Sequence, residues 1–342
     1  MRPGLPLIGI VWAVLLGLDL GCGPGTPAPA SSAQIRSALS LPQFRAASMA
    51  PRVEQSWRRR DAVIERVVFQ GRWGQPIPAL VAYSDMAAAR PLPVILCMPG
   101  SPNRKEDLMR PLDLLSLWAQ EGFFVISIDR PYHGDRPGDP EQAIRDKGLP
   151  RVLGEYVYDL MRALDYSATR PEADMSRVGM LGLSMGGMEA LLLAAVDERV
   201  GCVASVSGQL SWLDVFTTDS WKLIFTGLPL TDRLRAAGAS GTAVYEAFLQ
   251  QMPELAVLDA PAVSPSLAPR PLLLMTGDGD PYVTTAATMR TYAAAVGAYR
   301  SNPEKLQVWI DPGVGHAFST AMQGRALDWF RLWLLGDQPR SR

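Results

Sequence analysis

The chain has 342 residues, with 33 basic side chains against 34 acidic ones and a formal net charge of −1. That balance excludes a basic field for a nucleic-acid backbone, so no nucleic-acid partner is expected. Three cysteines are too few to staple a fold, and two histidines in the whole chain leave a zinc site short of ligands.

From Leu5 to Leu20 the sequence is almost wholly apolar, with Arg2 ahead of it and Cys22 behind. A basic start, a short apolar run and a small-residue exit predict a secretory signal over residues 1–22. The run is shorter than the roughly 20 apolar residues of a bilayer-spanning helix. A thiol followed by a Gly/Pro/Ala/Ser-rich tether resembles a bacterial lipoprotein signal, which implies acylation of Cys22. Asp19 stands where that pattern has an aliphatic residue. The expectation is an exported protein, periplasmic, cell-surface or secreted, with any membrane attachment made through its N-terminus.

Residues 23–60 read as a linker and a peripheral arm, with Arg58, Arg59 and Arg60 on a solvated face. A single domain is expected over 61–337. Val67 to Phe69 and Ile77 to Tyr83 predict two strands joined across Gly71 to Gly74. Leu92 to Met98 is a continuous apolar run ended by Pro99-Gly100, the pattern of a strand buried on both faces. Leu108, Leu112, Leu115 and Trp118 recur at helical spacing, and Phe123 to Ile128 is another buried strand. Leu153, Tyr156, Val157, Leu160, Met161 and Leu164 mark an amphipathic helix. Strand, helix and strand follow at Arg177–Leu183, Glu189–Ala195 and Val200–Val206. Pro271–Thr276, a helix from Thr284 to Val296, Leu306–Ile310 and a last helix from Phe318 to Trp333 complete the set. Cys97 and Cys202 fall within strand runs and read as small buried hydrophobes.

This alternation predicts an α/β fold, a mostly parallel central sheet with helices on both faces. Residues 209–261 interrupt it before the penultimate strand and predict a helical insertion, or lid. Its Trp212, Phe216, Trp221, Ile224, Phe225, Phe248 and Met252 either pack the insertion down or roof an apolar pocket. Ligands of such sheets sit beyond the carboxyl ends of the strands, so residues just after strands are the candidates for chemistry.

Gly182-Leu183-Ser184-Met185-Gly186 lies at one such strand-to-helix junction. A turn with Ser184 at its apex needs small neighbours, and it would lift the hydroxyl above the sheet edge and aim the Met185 N–H into the site. A serine hydroxyl needs a base. His316 follows the last strand, whereas His133 lies in the turn Asp129 to Gly134 and reads as a loop-organising residue. The base in turn needs an acceptor. Gly277-Asp278-Gly279-Asp280-Pro281 offers Asp280, beyond the turn, with Asp278 in reserve as a turn cap.

The order Ser184, Asp280, His316, each after a strand, resembles the α/β-hydrolase family over about residues 63–337. It is most similar to the serine-dependent members grouped with dienelactone hydrolases, acetyl-xylan esterases and prolyl-oligopeptidase-like domains. Dienelactone hydrolases proper use cysteine, which Ser184 argues against. The resemblance implies a second oxyanion N–H from Met98-Pro99-Gly100-Ser101-Pro102, with Ser101 at the matching position and Pro99 where the family often has histidine. It implies cleavage of a small-molecule carboxylic ester through an acyl-serine, with no metal or organic cofactor. A serine peptidase or an acyltransferase on the same triad, or a non-catalytic binding protein of the same fold, are the competing readings.

Overall fold

The computed structural model describes residues 27–109, 113–218, 220–224, 229–239 and 241–336. The apolar run from Leu5, Cys22, Leu112 and Phe225 lie outside them.

Helix α1 (Ser32–Ala38) opens the described chain on a capping box between Ser31 and Gln34. Strands β1 (Arg52–Arg59), β2 (Ala62–Gln70) and β3 (Pro76–Ser84) then form an antiparallel meander. Residues 52–59, expected as part of a peripheral arm, are therefore the edge strand of the sheet. The reason is visible in its side chains. β1 exposes most positions on both faces, so it carries no apolar alternation to announce a strand, and backbone pairing with β2 holds it. The arginine cluster is paired outward, Arg58 with Asp85, and Arg59 and Arg60 with Asp113.

Strand β4 (Leu92–Met98), helix α2 (Leu114–Gln120), strand β5 (Phe124–Ile128), helices α3 (Pro140–Lys147) and α4 (Leu149–Ser167), strand β6 (Ala173–Leu183), helix α5 (Met185–Val196) and strand β7 (Val200–Val206) follow. Among the described residues, five short helices fall in the interval to the next strand: α6 (Trp212–Thr217), α7 (Trp221–Ile224), α8 (Pro229–Ala236), α9 (Thr242–Gln251) and α10 (Ala260–Val263). Strand β8 (Leu272–Gly277), helix α11 (Thr285–Val296), strand β9 (Leu306–Asp311) and helix α12 (Thr320–Phe330) end the fold, with a π turn over Arg331–Leu335.

The nine strands lie in the order β1-β2-β3-β5-β4-β6-β7-β8-β9. All pairs from β5 through β9 are parallel, and β3 joins β5 antiparallel. The central strands β4, β5 and β8 are buried at every residue and β7 at all but Gly201, as strands covered on both faces require, while the edge strand β9 leaves Gln307 exposed and Val308 to Ile310 half-buried. In β4, Leu92, Val94, Leu96 and Met98 enter one core with α4, α5 and the insertion, while Ile95 and Cys97 enter the other with α2 and α12. Trp212, Phe216, Trp221 and Phe248 of the insertion are buried in the first core, Phe216 and Phe248 with ring centroids 4.5 Å apart. They pack the insertion down. Cys97 and Cys202 are buried free thiols, and burial raises both. Among the described residues no helix is long and apolar enough to cross a membrane.

Candidate active site

Strand β6 runs into helix α5 through Ser184 alone, which adopts φ 55° and ψ −119°. For a residue with a side chain that conformation costs on the order of 1–3 kcal/mol. The surrounding packing imposes it. A Cβ on Gly182 would stand 1.9 Å from the Gly186 carbonyl oxygen, and one on Gly187 would stand 2.9 Å from the Cα of Gly208 beyond β7. Strand and helix touch backbone to backbone, so the chain between them turns within one residue. The Ser184 N–H donates to the Val206 carbonyl at 2.8 Å, fixing the turn to the end of β7. Met185 is the first residue of α5, so its N–H belongs to the helix-start donors that have no partner within the helix.

The remaining site residues step across the same carboxyl edge. The Ser207 N–H after β7 donates to the Met275 carbonyl of β8 at 2.7 Å. Asp280, three residues past β8, is buried. Its Oδ1 accepts the N–H groups of Tyr282 and Val283 at 2.9 and 3.0 Å, and its Oδ2 lies 3.4 Å from Thr276 Oγ1 and accepts from His316 Nδ1 at 2.8 Å. Burial alone would raise this carboxyl, but the His316 ring, the Val283 N–H and Ser207 outweigh it and hold Asp280 below its ordinary range. His316 comes back over the sheet because the chain after β9 folds across the end of β8. The Gly279 N–H donates to the Val314 carbonyl at 3.0 Å, and a Cβ on Gly277 would stand 2.0 Å from that oxygen. Asp278 does not join His316. Its Oδ1 accepts the Gly313 N–H at 2.8 Å and caps the turn after β9.

Ser101 lies beside the Ser184 turn, since a Cβ on the preceding Gly100 would be 3.1 Å from Ser184 Cβ. Its hydroxyl is 2.9 Å from His133 Nε2, while His133 Nδ1 is 2.9 Å from the Pro131 carbonyl. A carbonyl only accepts, so Nδ1 carries the proton and Nε2 accepts the Ser101 hydroxyl. Burial, reinforced by the Arg130 charge, pushes His133 down from 6.5 to about 4, and the ring is neutral at pH 7. The two histidines thus divide: His316 joins a carboxylate, and His133 joins a carbonyl and a hydroxyl.

Sequence reasoning missed Tyr282, whose ring packs edge-on against His316 at 4.8 Å between centroids, and the buried Ser207 and Thr276 around Asp280. Tyr282 stands two residues after Asp280, but spacing alone gives no direction for its ring. Among the described residues no group of three or more His, Cys, Asp and Glu side chains is placed to hold a metal ion. An imidazole tied to a carboxylate at Nδ1 presents its lone pair at Nε2, the arrangement that can take a proton from a hydroxyl.

The prolyl oligopeptidase family model matches residues 114–334, well over half of the chain and the whole span from α2 to the π turn. The Bacillus subtilis (strain 168) protein named "Putative esterase YitV" is 24% identical over 261 residues, covering 75% of this chain and 96% of that protein. The acetyl xylan esterase of Paenibacillus sp. R4 superposes with a TM-score of 0.64 at 18% identity, covering 91% of this chain and 98% of that one. The glucuronoyl esterase of Solibacter usitatus gives a TM-score of 0.59 at 14% identity, with 91% and 97% covered. The chain belongs to the prolyl oligopeptidase family, and its fold is that of the α/β-hydrolases.

Proposed function

We propose that the protein is a serine hydrolase that cleaves small carboxylic esters through an acyl-enzyme on Ser184. The observation that carries this reading is the 2.8 Å hydrogen bond from His316 Nδ1 to the buried Asp280 carboxylate, on the sheet edge where Ser184 holds its strained turn. In this mechanism Ser184 Oγ attacks the ester carbonyl carbon while His316 Nε2 takes its proton. The N–H groups of Met185 and Ser101 receive the developing oxyanion. Collapse breaks the bond to the alcohol oxygen, which leaves with the proton from His316. Water repeats the sequence on the acyl-serine, releasing the acid and restoring the hydroxyl. Asp280 holds the ring in one tautomer and stabilises the imidazolium. The esterase names of the relatives support an ester over other acyl substrates.

Hydrolysis of p-nitrophenyl acetate tests the reading. Ser184→Ala should lower kcat by at least about 10⁴-fold with an unchanged melting temperature. Wild-type turnover in that variant would overturn it.

Export belongs to the same proposal and is supported by Arg2, the apolar run from Leu5 to Leu20 and the tether after Cys22. Cell fractionation of a bacterial host and the mass of the recovered chain test it. A chain that has lost its N-terminal apolar run and lies outside the cytoplasm is expected, with acylated Cys22 at its start where it is held on the membrane, and a full-length cytoplasmic chain would contradict it.

A further inference from the structure

The turn Asp129 to Gly134, which follows β5, grips the segment that leaves β4 at three points. Arg130, fully buried, donates from Nη2 to the Pro99 carbonyl at 2.6 Å. His133 Nε2 accepts the Ser101 hydroxyl at 2.9 Å. The Asp129 carboxylate accepts the Lys105 N–H at 3.0 Å and the buried Lys105 ammonium at 2.6 Å. Arg130 also forms a buried ion pair with Glu189 of α5, Nε to Oε1 at 2.8 Å, so one guanidinium touches both the Pro99 loop and the helix that begins at Met185. The His133 ring is itself wedged edge-on against Tyr156 of α4 at 6.0 Å.

We propose that His133 and Arg130 are positioning residues that clamp the oxyanion loop Pro99–Ser101 against Ser184, fixing the Ser101 N–H relative to the Met185 N–H. This rests on the reading of Ser184 as nucleophile and of Ser101 as an oxyanion donor. Two donors serve one oxyanion only if both lie about 2.7–3.1 Å from it, and here they come from different elements. Arg130 ties one donor's loop to the other's helix, and His133 stops that loop from pivoting about Gly100. The Ser101–His133 pair is not a second nucleophile and base. A proton taken up by His133 would be buried and would face the Arg130 charge, which the Pro131 carbonyl and the Asp129 charge do not offset, and among the described residues no carboxylate is hydrogen-bonded to the ring.

A double-mutant cycle with p-nitrophenyl acetate tests the clamp. Ser101→Ala keeps the backbone N–H and removes only the hydroxyl from an exposed residue, so folding is not at issue. Ser101→Ala and His133→Ala should each lower kcat about 10- to 100-fold with KM within about threefold, less than the ~10²–10³ lost with a whole donor. The double variant should be no slower than the slower single one, because both cut the same link. His133→Gln, whose amide oxygen can accept from Ser101, should recover most of the rate. The pH profile of kcat should keep its midpoint in all of them. Effects that multiply, a loss confined to KM, wild-type kcat in Ser101→Ala, or a shifted midpoint would each overturn the clamp. An inactive Ser184→Ala beside fully active Ser101→Ala and His133→Ala would remove the clamp and leave the hydrolase reading standing. A fully active Ser184→Ala would remove both.

Discussion

His316 Nδ1 meets Asp280 Oδ2 at 2.8 Å across a sequence separation of 36 residues, while Asp278, two positions earlier, caps the turn at Gly313. Two carboxylates of one short loop are thus sorted by geometry. The tight turn after β8 faces Asp278 towards the β9 connection, and the extra two residues bring Asp280 under the ring. Asp280→Asn should therefore lower kcat about 10³- to 10⁴-fold, since an amide can present its donor to Nδ1 and stabilise the wrong tautomer. Asp278→Asn should stay within a few-fold of the wild type. Steady-state kinetics on the purified variants checks both, and a reversed ranking would reassign the acid.

The His316 loop lies against β8 with no room between them. Gly277→Ala places a methyl group 2.0 Å from the Val314 carbonyl oxygen and 2.7 Å from that of Gly315, both backbone atoms. The loop must move, and His316 with it. We expect kcat to fall about 100-fold or more, since a displacement near 1 Å is enough for that, together with a lower melting temperature. Kinetics and calorimetry on this one variant measure both.

Tyr282 touches His316 through its ring, edge to face at 4.8 Å. Tyr282→Phe should keep kcat/KM near the wild-type value, and Tyr282→Ala should lose about tenfold as the imidazole gains freedom. Equal losses in both would show that the hydroxyl matters instead.

Asp259, buried where the insertion returns to the sheet, accepts the Trp212 N–H at 2.9 Å through Oδ1. Burial pushes its carboxyl from 3.8 up to about 8. The folded protein therefore holds a proton that the unfolded chain releases above about pH 4. Asp259 favours the folded state fully below that pH, and this contribution is lost as pH rises through about 8. Asp259→Asn keeps the Oδ1 acceptor without a charge to bury. Its melting temperature should exceed that of the wild type by several degrees at pH 9 and converge with it near pH 4. A gap that does not change with pH would contradict the assignment.

Much of this was legible before the structure because the parallel sheet writes itself in apolar runs. β4, β5, β7 and β8 coincide with predominantly apolar stretches buried almost throughout, and β9 with a shorter one interrupted by Gln307. The Ser184 junction was legible because its glycines have no other local reason to cluster. What escaped notice lacks such patterning. β1 is charged and exposed on both faces, held by pairing alone. α3 buries only Ala143 and starts on an Asp139 cap, so it shows no apolar stripe. At the site, its place beyond the tight turn favours Asp280 over Asp278, but sequence does not show which one faces the ring. The partners of His133 depend on two loops that are adjacent only because β5 lies next to β4 in the sheet.

The most direct measurement is to treat the protein with diethyl p-nitrophenyl phosphate and locate the adduct by peptide mass spectrometry. One diethylphosphoryl group on Ser184 is expected, with labelling slowed in Asp280→Asn and lost in His316→Ala. No adduct, or an adduct on Ser101 or another residue with Ser184 unmodified, would contradict the account.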